Sequence, residues 1–189
     1  EEIRGRGRLG ARPARVKEVL GSLNAPKAIS LIAIHAHGIP TEFNPDALVE
    51  AKRAKPASPD GREDLRAIPL ITIDPEDARD HDDAVWAEPD DDPKNPGGWH
   101  AIVAIADVAH YVRPGSALDR EAWRRGNSAY FPDRVVPMLP EALSADLCSL
   151  LPGEDRAVLA AHLWFAADGR KIRHRFSRAM MRSAANLTY

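Results

Sequence analysis

Ile68-Pro69-Leu70-Ile71-Thr72-Ile73-Asp74-Pro75-Glu76-Asp77-Ala78-Arg79-Asp80-His81-Asp82-Asp83-Ala84-Val85-Trp86-Ala87 is the stretch on which the reading of this 189-residue chain turns. Its two ends, residues 68–73 and 84–87, are apolar and β-branched, the composition of buried strands. Between them stand six acids: Asp74, Glu76, Asp77, Asp80, Asp82 and Asp83. Carboxylates this close repel, and each resists ionising beside the others. A solvated tail disperses such charge into water. Acids mounted between two core strands are held together by the core, and a bound cation neutralises them. We read the stretch as a metal site.

The remainder of the chain sets the context. With 44% hydrophobic and 29% charged residues it is an ordinary globular composition. No run of 18 apolar residues exists, so no transmembrane helix and no membrane partner are expected. The chain opens Glu1-Glu2-Ile3-Arg4 without a secretory signal, which reads as an internal start and a cytoplasmic protein. A single cysteine, Cys148, excludes an intramolecular disulfide and suits a reducing compartment. Within Leu147-Cys148-Ser149-Leu150 it reads as a small apolar core residue rather than a nucleophile. The net charge of −2 conceals an asymmetry. Residues 74–92 hold ten acids and one base, Arg79, which leaves 18 acids against 25 bases elsewhere. A basic body around an acidic pocket fits a polyanionic substrate handled by bound cations; unrelated surface charge is the plainer alternative.

Taken in order, residues 15–20 read as one strand stopped by Gly21, the last strand of a small barrel whose other strands lie upstream. Residues 24–37 read as a helix capped by Asn24, with Ile29, Ile32 and Ala33 on its inner face. His35 and His37, two apart, do not share a helix face and do not make a zinc pair. A second helix starts at Asn44-Pro45 and turns Leu48 and Val49 inward. Residues 56–61 are linker chemistry, and the domain boundary is placed near residue 66. Residues 88–98 read as an unanchored surface insertion. Residues 99–108 are nearly continuously apolar, as in a strand covered on both faces, with Asp107 as a cap or turn residue. Residues 116–125 form a helix with Leu118 and Ala122 inward, stopped by Gly126. Residues 141–147 form a short helical piece. Asp168-Gly169 joins two strands in a hairpin. Adjacent aromatics at Tyr130-Phe131 suit stacking on bases, with Phe131 as core the default. The fold class is α+β, or mixed α/β.

Carboxylate oxygens suit hard cations such as magnesium or manganese. No Cys/His spacing fits zinc. A calcium loop counted from Asp74 puts Ala78 and Arg79 where an acid and a glycine are needed. Magnesium with water and phosphate ligands remains, and two such ions can serve a phosphodiester displacement. If residues 80–83 are extended, Asp80 and Asp82 project to one side and Asp83 to the other.

The spacing Asp74-x5-Asp80-x-Asp82-Asp83 after an apolar strand resembles the signature of the ribonuclease II / ribonuclease R family, most of all its ribonuclease R branch. Ala104-Ile105-Ala106-Asp107-Val108, Gly126-Asn127-Ser128-Ala129-Tyr130-Phe131-Pro132 and residues 137–150 resemble it in order and spacing, so the likeness covers roughly residues 62–189. It implies an RNB-type catalytic domain that degrades single-stranded RNA from its 3′ end to nucleoside 5′-monophosphates with magnesium, manganese being an alternative. By it, Asp74, Asp80 and Asp83 are metal ligands, Asp82 is the acid most critical for chemistry, and Tyr130 stacks on terminal bases. Arg79 and Phe131 are further candidate RNA contacts. His81 departs from the bulky apolar residue of the family pattern. The resemblance makes residues 1–23 the remnant of an OB-type cold-shock domain and 24–66 a helical connector. Residues 67–189 become the first part of a catalytic domain that runs on past residue 189. A non-catalytic RNA-binding module and an acidic cation-binding domain are the competing readings.

Overall fold

The structure, a computed structural model, describes residues 15–16 and 28–189. These fall into two compact units, one including residues 28–41 and Ala129–Val136, the other Glu42–Ser128 and Pro137–Tyr189. The smaller unit contains α1 (Ala28–Ala36) and the hairpin β5 (Ala129–Phe131) and β6 (Arg134–Val136). The larger contains α2 (Pro45–Arg53), β1 (Glu63–Asp64), β2 (Ile71–Asp74), β3 (Asp83–Pro89), β4 (Trp99–Ala106), α3 (Val108–Tyr111) and α4 (Ala117–Arg125). A π-helical turn (Leu143–Leu147), β7 (Asp155–Phe165), β8 (Lys171–Arg182) and β9 (Ala185–Thr188) complete it. The α+β class expected from the sequence is what is found. The strand expected at residues 15–20, the Asn24 cap and the cold-shock remnant lie outside the described residues, apart from Arg15 and Val16, both exposed.

Seven strands form one sheet in the order β1-β8-β7-β4-β3-β2-β9. The inner pairs β2–β3, β3–β4, β4–β7 and β7–β8 are antiparallel, while β1 joins β8 and β9 joins β2 in parallel. Asp168-Gly169 does turn β7 into β8, and Gly169 takes φ +82°, a left-handed value open to glycine. One face of the sheet packs Ala84, Ile102, Ala104, Val158, Ala160 and Met181 against α2, α4 and the leucines Leu139, Leu143, Leu147 and Leu150. Leu143 and Leu150 are fully buried, each contributing about 1.5–3 kcal/mol of transfer free energy, and with Leu139 and Leu147 they anchor residues 137–150 to the sheet. The opposite face is apolar but open: Ile105, Leu159 and Phe176 are 44%, 47% and 64% exposed. Among the described residues, therefore, the continuous apolar run of β4 is covered on one face and not on both.

The helices refine the expected faces. Asn44 caps α2, its side-chain oxygen accepting from the Asp46 N–H at 2.9 Å, and Ser116 caps α4 by accepting from Asp119. Leu118 and Ala122 of α4 are buried as expected. In α2, however, Ala47 and Ala51 face the core, while Leu48 and Val49 are partly exposed. A closely packed helix pair favours small residues at the contact, and α2 packs on α4. The helix and the β1 strand, read as connector from the sequence, thus supply core and sheet to the larger unit. In α1, Ile29 is exposed and Ile34 buried, so its inner face is rotated from the expected one. The Ser30 hydroxyl donates to Asp133 in the β5–β6 turn, and with Arg134 this holds the Asp133 carboxyl below the usual range.

The loop at residues 90–98 is anchored, contrary to its sequence reading. Asn95 is buried, and its Nδ2 donates to Asp90 Oδ2 at 2.8 Å and to the Phe165 carbonyl at 3.0 Å. Gly98 lies so close that a Cβ there would meet Asn95 Nδ2 at 2.0 Å.

At the other edge, Glu63 accepts from both Arg175 nitrogens at 2.8 Å and from Ser177 Oγ at 2.6 Å. Arg175 foremost holds the Glu63 carboxyl at about 2, against an ordinary 4.5, burial acting in the opposite sense. A lowered carboxylate pKa contributes stability above the unfolded value and loses it as pH falls through the folded one. The destabilisation caused by Glu63→Gln is therefore expected to be on the order of 1–2 kcal/mol at pH 6, after solvent screening, and to vanish towards pH 2. Urea denaturation of both proteins across that range measures it.

Candidate active site

Asp74 is the last residue of β2 and Asp83 the first of β3, so the acidic segment crosses the end of the sheet. A turn begins it, with Ala78 N–H donating to Pro75 C=O at 3.0 Å. The segment then runs against the body of the unit. The Ser149 hydroxyl donates to Arg79 C=O at 2.8 Å and accepts from His81 N–H at 3.2 Å. Leu150 N–H donates to His81 C=O at 2.7 Å, and Ala106 N–H to Asp82 C=O at 2.9 Å. That last bond extends the β3–β4 ladder one residue beyond Asp83, which pairs with Ile105.

Strand alternation places Asp83 on the open face with Ile105, and Ala84 on the helix-covered face. Asp82 precedes Asp83 and is turned the other way. Burial, then the negative charge of Asp83, with smaller contributions from Asp80 and Asp74, pushes the Asp82 carboxyl above its ordinary value. Asp82 is exposed, yet the protein packed beside its carboxyl removes part of the surrounding water. Asp74 is half-buried and lies 2.8 Å from His81 Nδ1. Asp80 is half-buried, whereas Arg79 is exposed. Asp82 thus combines partial burial with the repulsion of three neighbouring carboxylates.

The RNB domain family model matches residues 62–189. The chain belongs to the RNB-domain family. It is 47% identical over 190 residues to ribonuclease R of Vibrio cholerae and 45% identical over 179 residues to that of Escherichia coli. These alignments take in 98% and 93% of this chain but 22% of each relative, so the chain spans about a fifth of their length. Mycoplasma genitalium RNase R, solved in complex with ribose-methylated single-stranded RNA, superposes with a TM-score of 0.83. It is 32% identical, over 92% of this chain and 27% of that one.

In this RNB chain the donor type suits a hard cation, since every candidate ligand is a carboxylate oxygen. Among the described residues, no three His, Cys, Asp or Glu side chains converge closely enough to form a cage for a metal ion. Magnesium does not ask for one: it keeps several waters and takes one or two carboxylates together with substrate phosphates. Two carboxylates of the acidic segment are enough for that requirement. No helix among the described residues is long and apolar enough to cross a membrane.

Tyr130 and Phe131 sit on β5 of the smaller unit, Tyr130 65% exposed and Phe131 half-buried. The exposed Tyr130 ring is compatible with stacking, and Phe131 is less enclosed than a core ring. Two features of the larger unit escaped the sequence reading. The His81 contact to Asp74 ties the later part of the acidic segment back to its start at the end of β2. Ser149 holds its backbone, and the available signal was a hydroxyl inside the apolar run Leu147-Cys148-Ser149-Leu150, since a buried hydroxyl needs partners.

Because burial and like charges disfavour the charged Asp82 carboxyl, Asp82→Asn is expected to stabilise the metal-free chain at pH 7 by a few tenths of a kcal/mol up to about 1 kcal/mol. Millimolar MgCl2 should reverse the order, raising the Tm of the unmodified chain more than that of the variant. Thermal denaturation with and without chelator reads both effects.

Proposed function

We propose that this chain is the part of a 3′-to-5′ exoribonuclease that carries its acidic centre, and that its substrate is single-stranded RNA. The observation that carries the reading is the placement of Asp74, Asp80, Asp82 and Asp83 across one end of the sheet, on a segment fixed there by backbone bonds. The ribonuclease R names of the relatives and the RNA in the Mycoplasma genitalium complex supply the substrate class.

In this reading Asp74, Asp80 and Asp83 would hold magnesium, with manganese as a substitute, their coordination completed by water and substrate phosphate, and Asp82 would be the acid most critical for the chemistry. A pair of such ions would supply Lewis acidity at the phosphate and activate a bound water. The protein's contribution is placement: Asp83 and Asp82 emerge on opposite sides of one strand end and approach a phosphodiester from two directions. Tyr130 stacks on a base near the 3′ end, with Phe131 and Arg79 as further contacts. Residues 67–189 are read as the first part of the catalytic domain, 24–66 as its connector and 1–23 as a cold-shock remnant. The cytoplasm is the proposed location.

A chimaera tests the reading: this chain replaces the matching fifth of Vibrio cholerae ribonuclease R. The chimaera is expected to shorten 5′-labelled single-stranded RNA from the 3′ end to mononucleotides. Asp82→Asn in it should lower the rate by about 100-fold or more while RNA binding persists, and chelator should stop cleavage. Undiminished cleavage by the variant contradicts the role given to Asp82.

A further inference from the structure

Ser149 has no surface exposed to solvent. Its hydroxyl makes two bonds to one short segment of chain, donating to Arg79 C=O at 2.8 Å and accepting from His81 N–H at 3.2 Å. The next residue adds a third, Leu150 N–H to His81 C=O at 2.7 Å. Residues 79–81 are not in a strand and have no ladder of their own. Three of their backbone groups are instead satisfied by Ser149 and Leu150. Asp80 lies between the two residues gripped by the hydroxyl, and Asp82 follows directly.

The grip is itself supported. Arg156, 7% exposed, donates from Nε to Ser149 C=O at 2.9 Å and to Asp146 C=O at 3.2 Å, and from Nη2 to Asp146 Oδ1 at 3.1 Å. Leu143, Leu147 and Leu150 are buried on the sheet around it. The hydroxyl therefore projects from a rigid base, and a rigid base is what lets a hydrogen bond fix the position of its partner.

We propose that Ser149 is a positioning residue for the acidic centre: its hydroxyl sets the path of residues 79–81 and thereby where Asp80 and Asp82 present their carboxylates. The proposal rests on the reading of that centre as a divalent-cation site. Ser149 touches neither substrate nor ion. It acts on the backbone, as outer residues act on metal ligands, where their loss typically costs 10–100-fold in metal affinity.

The test uses the 189-residue chain with two substitutions and two readouts. Ser149→Ala removes the hydroxyl, and Ser149→Cys replaces it with a sulfur of similar size that bonds weakly. Ser183→Ala, which removes another buried hydroxyl, controls for general loosening. Mn2+ binding is followed by titration calorimetry, and amide exchange by mass spectrometry on peptides covering residues 76–84. Both Ser149 variants are expected to weaken Mn2+ binding by about tenfold or more and to speed exchange at residues 79–82 beyond any change in β4 and β7. Ser183→Ala should do neither. Unchanged Mn2+ affinity in both Ser149 variants overturns the proposal, as does exchange that rises equally throughout the sheet. If the unmodified chain binds no Mn2+, the cation reading fails, and the exchange data still decide whether Ser149 holds the segment.

Discussion

Mutual repulsion of carboxylates is the constraint around which this chain is built. Left to themselves, Asp74, Asp80, Asp82 and Asp83 would separate, and the segment joining β2 to β3 would swing into water. It does not, because its backbone is bonded to groups that carry no charge: Ala106 N–H, Leu150 N–H and the Ser149 hydroxyl. Each such bond contributes only about 1 kcal/mol net, yet each is costly to leave unmade once buried. Bonds to the backbone thus hold in place side chains that repel one another, and the repulsion is stored where a cation can relieve it.

The sheet makes this economical. β4 lies between β3 and β7 at its centre, so the strand that reaches Asp82 is fixed on both sides. The helices α2 and α4 and the leucines of residues 139–150 load one face only. The acids sit at an end of the sheet, where side chains can reach solvent while their backbones remain tied to the core.

Much of this could be read from residue order. The apolar flanks of the acidic stretch gave β2 and β3, the Asp168-Gly169 pair gave the β7–β8 turn, and Asn44 and Ser116 gave their helix starts. These signals are local, and local chemistry decides them. What failed depended on partners distant in sequence. Leu48 and Val49 have the apolarity of core residues, but the approach of α4 selects Ala47 and Ala51 instead. The loop at residues 90–98 looks unanchored until Asn95 meets the Phe165 carbonyl, 70 residues away. The four aspartates were evident as a cluster, since spacing alone brings them together. That Asp82 receives the combined field of the others required the fold, as did the partnership of His81 with Asp74 and the role of Ser149, 68 residues from His81.

The close fit of Gly98 to Asn95 bears on how this sequence can change over evolutionary time. Side chains alternate along β3, so a slip of one residue against β4 would exchange the faces of Asp82 and Asp83. The connection between those strands closes on Asp90, Asn95 and Gly98, at the far end of β3 from the acids. Asp92 closes the loop from within, its C=O accepting from Asn95 N–H at 2.8 Å and its carboxylate from Lys94 N–H at 2.9 Å. A length change within residues 90–98 breaks these bonds and loosens the β3–β4 pairing that fixes the faces of Asp82 and Asp83. The register of the acidic segment is therefore guarded by one short loop, a full strand length away from it.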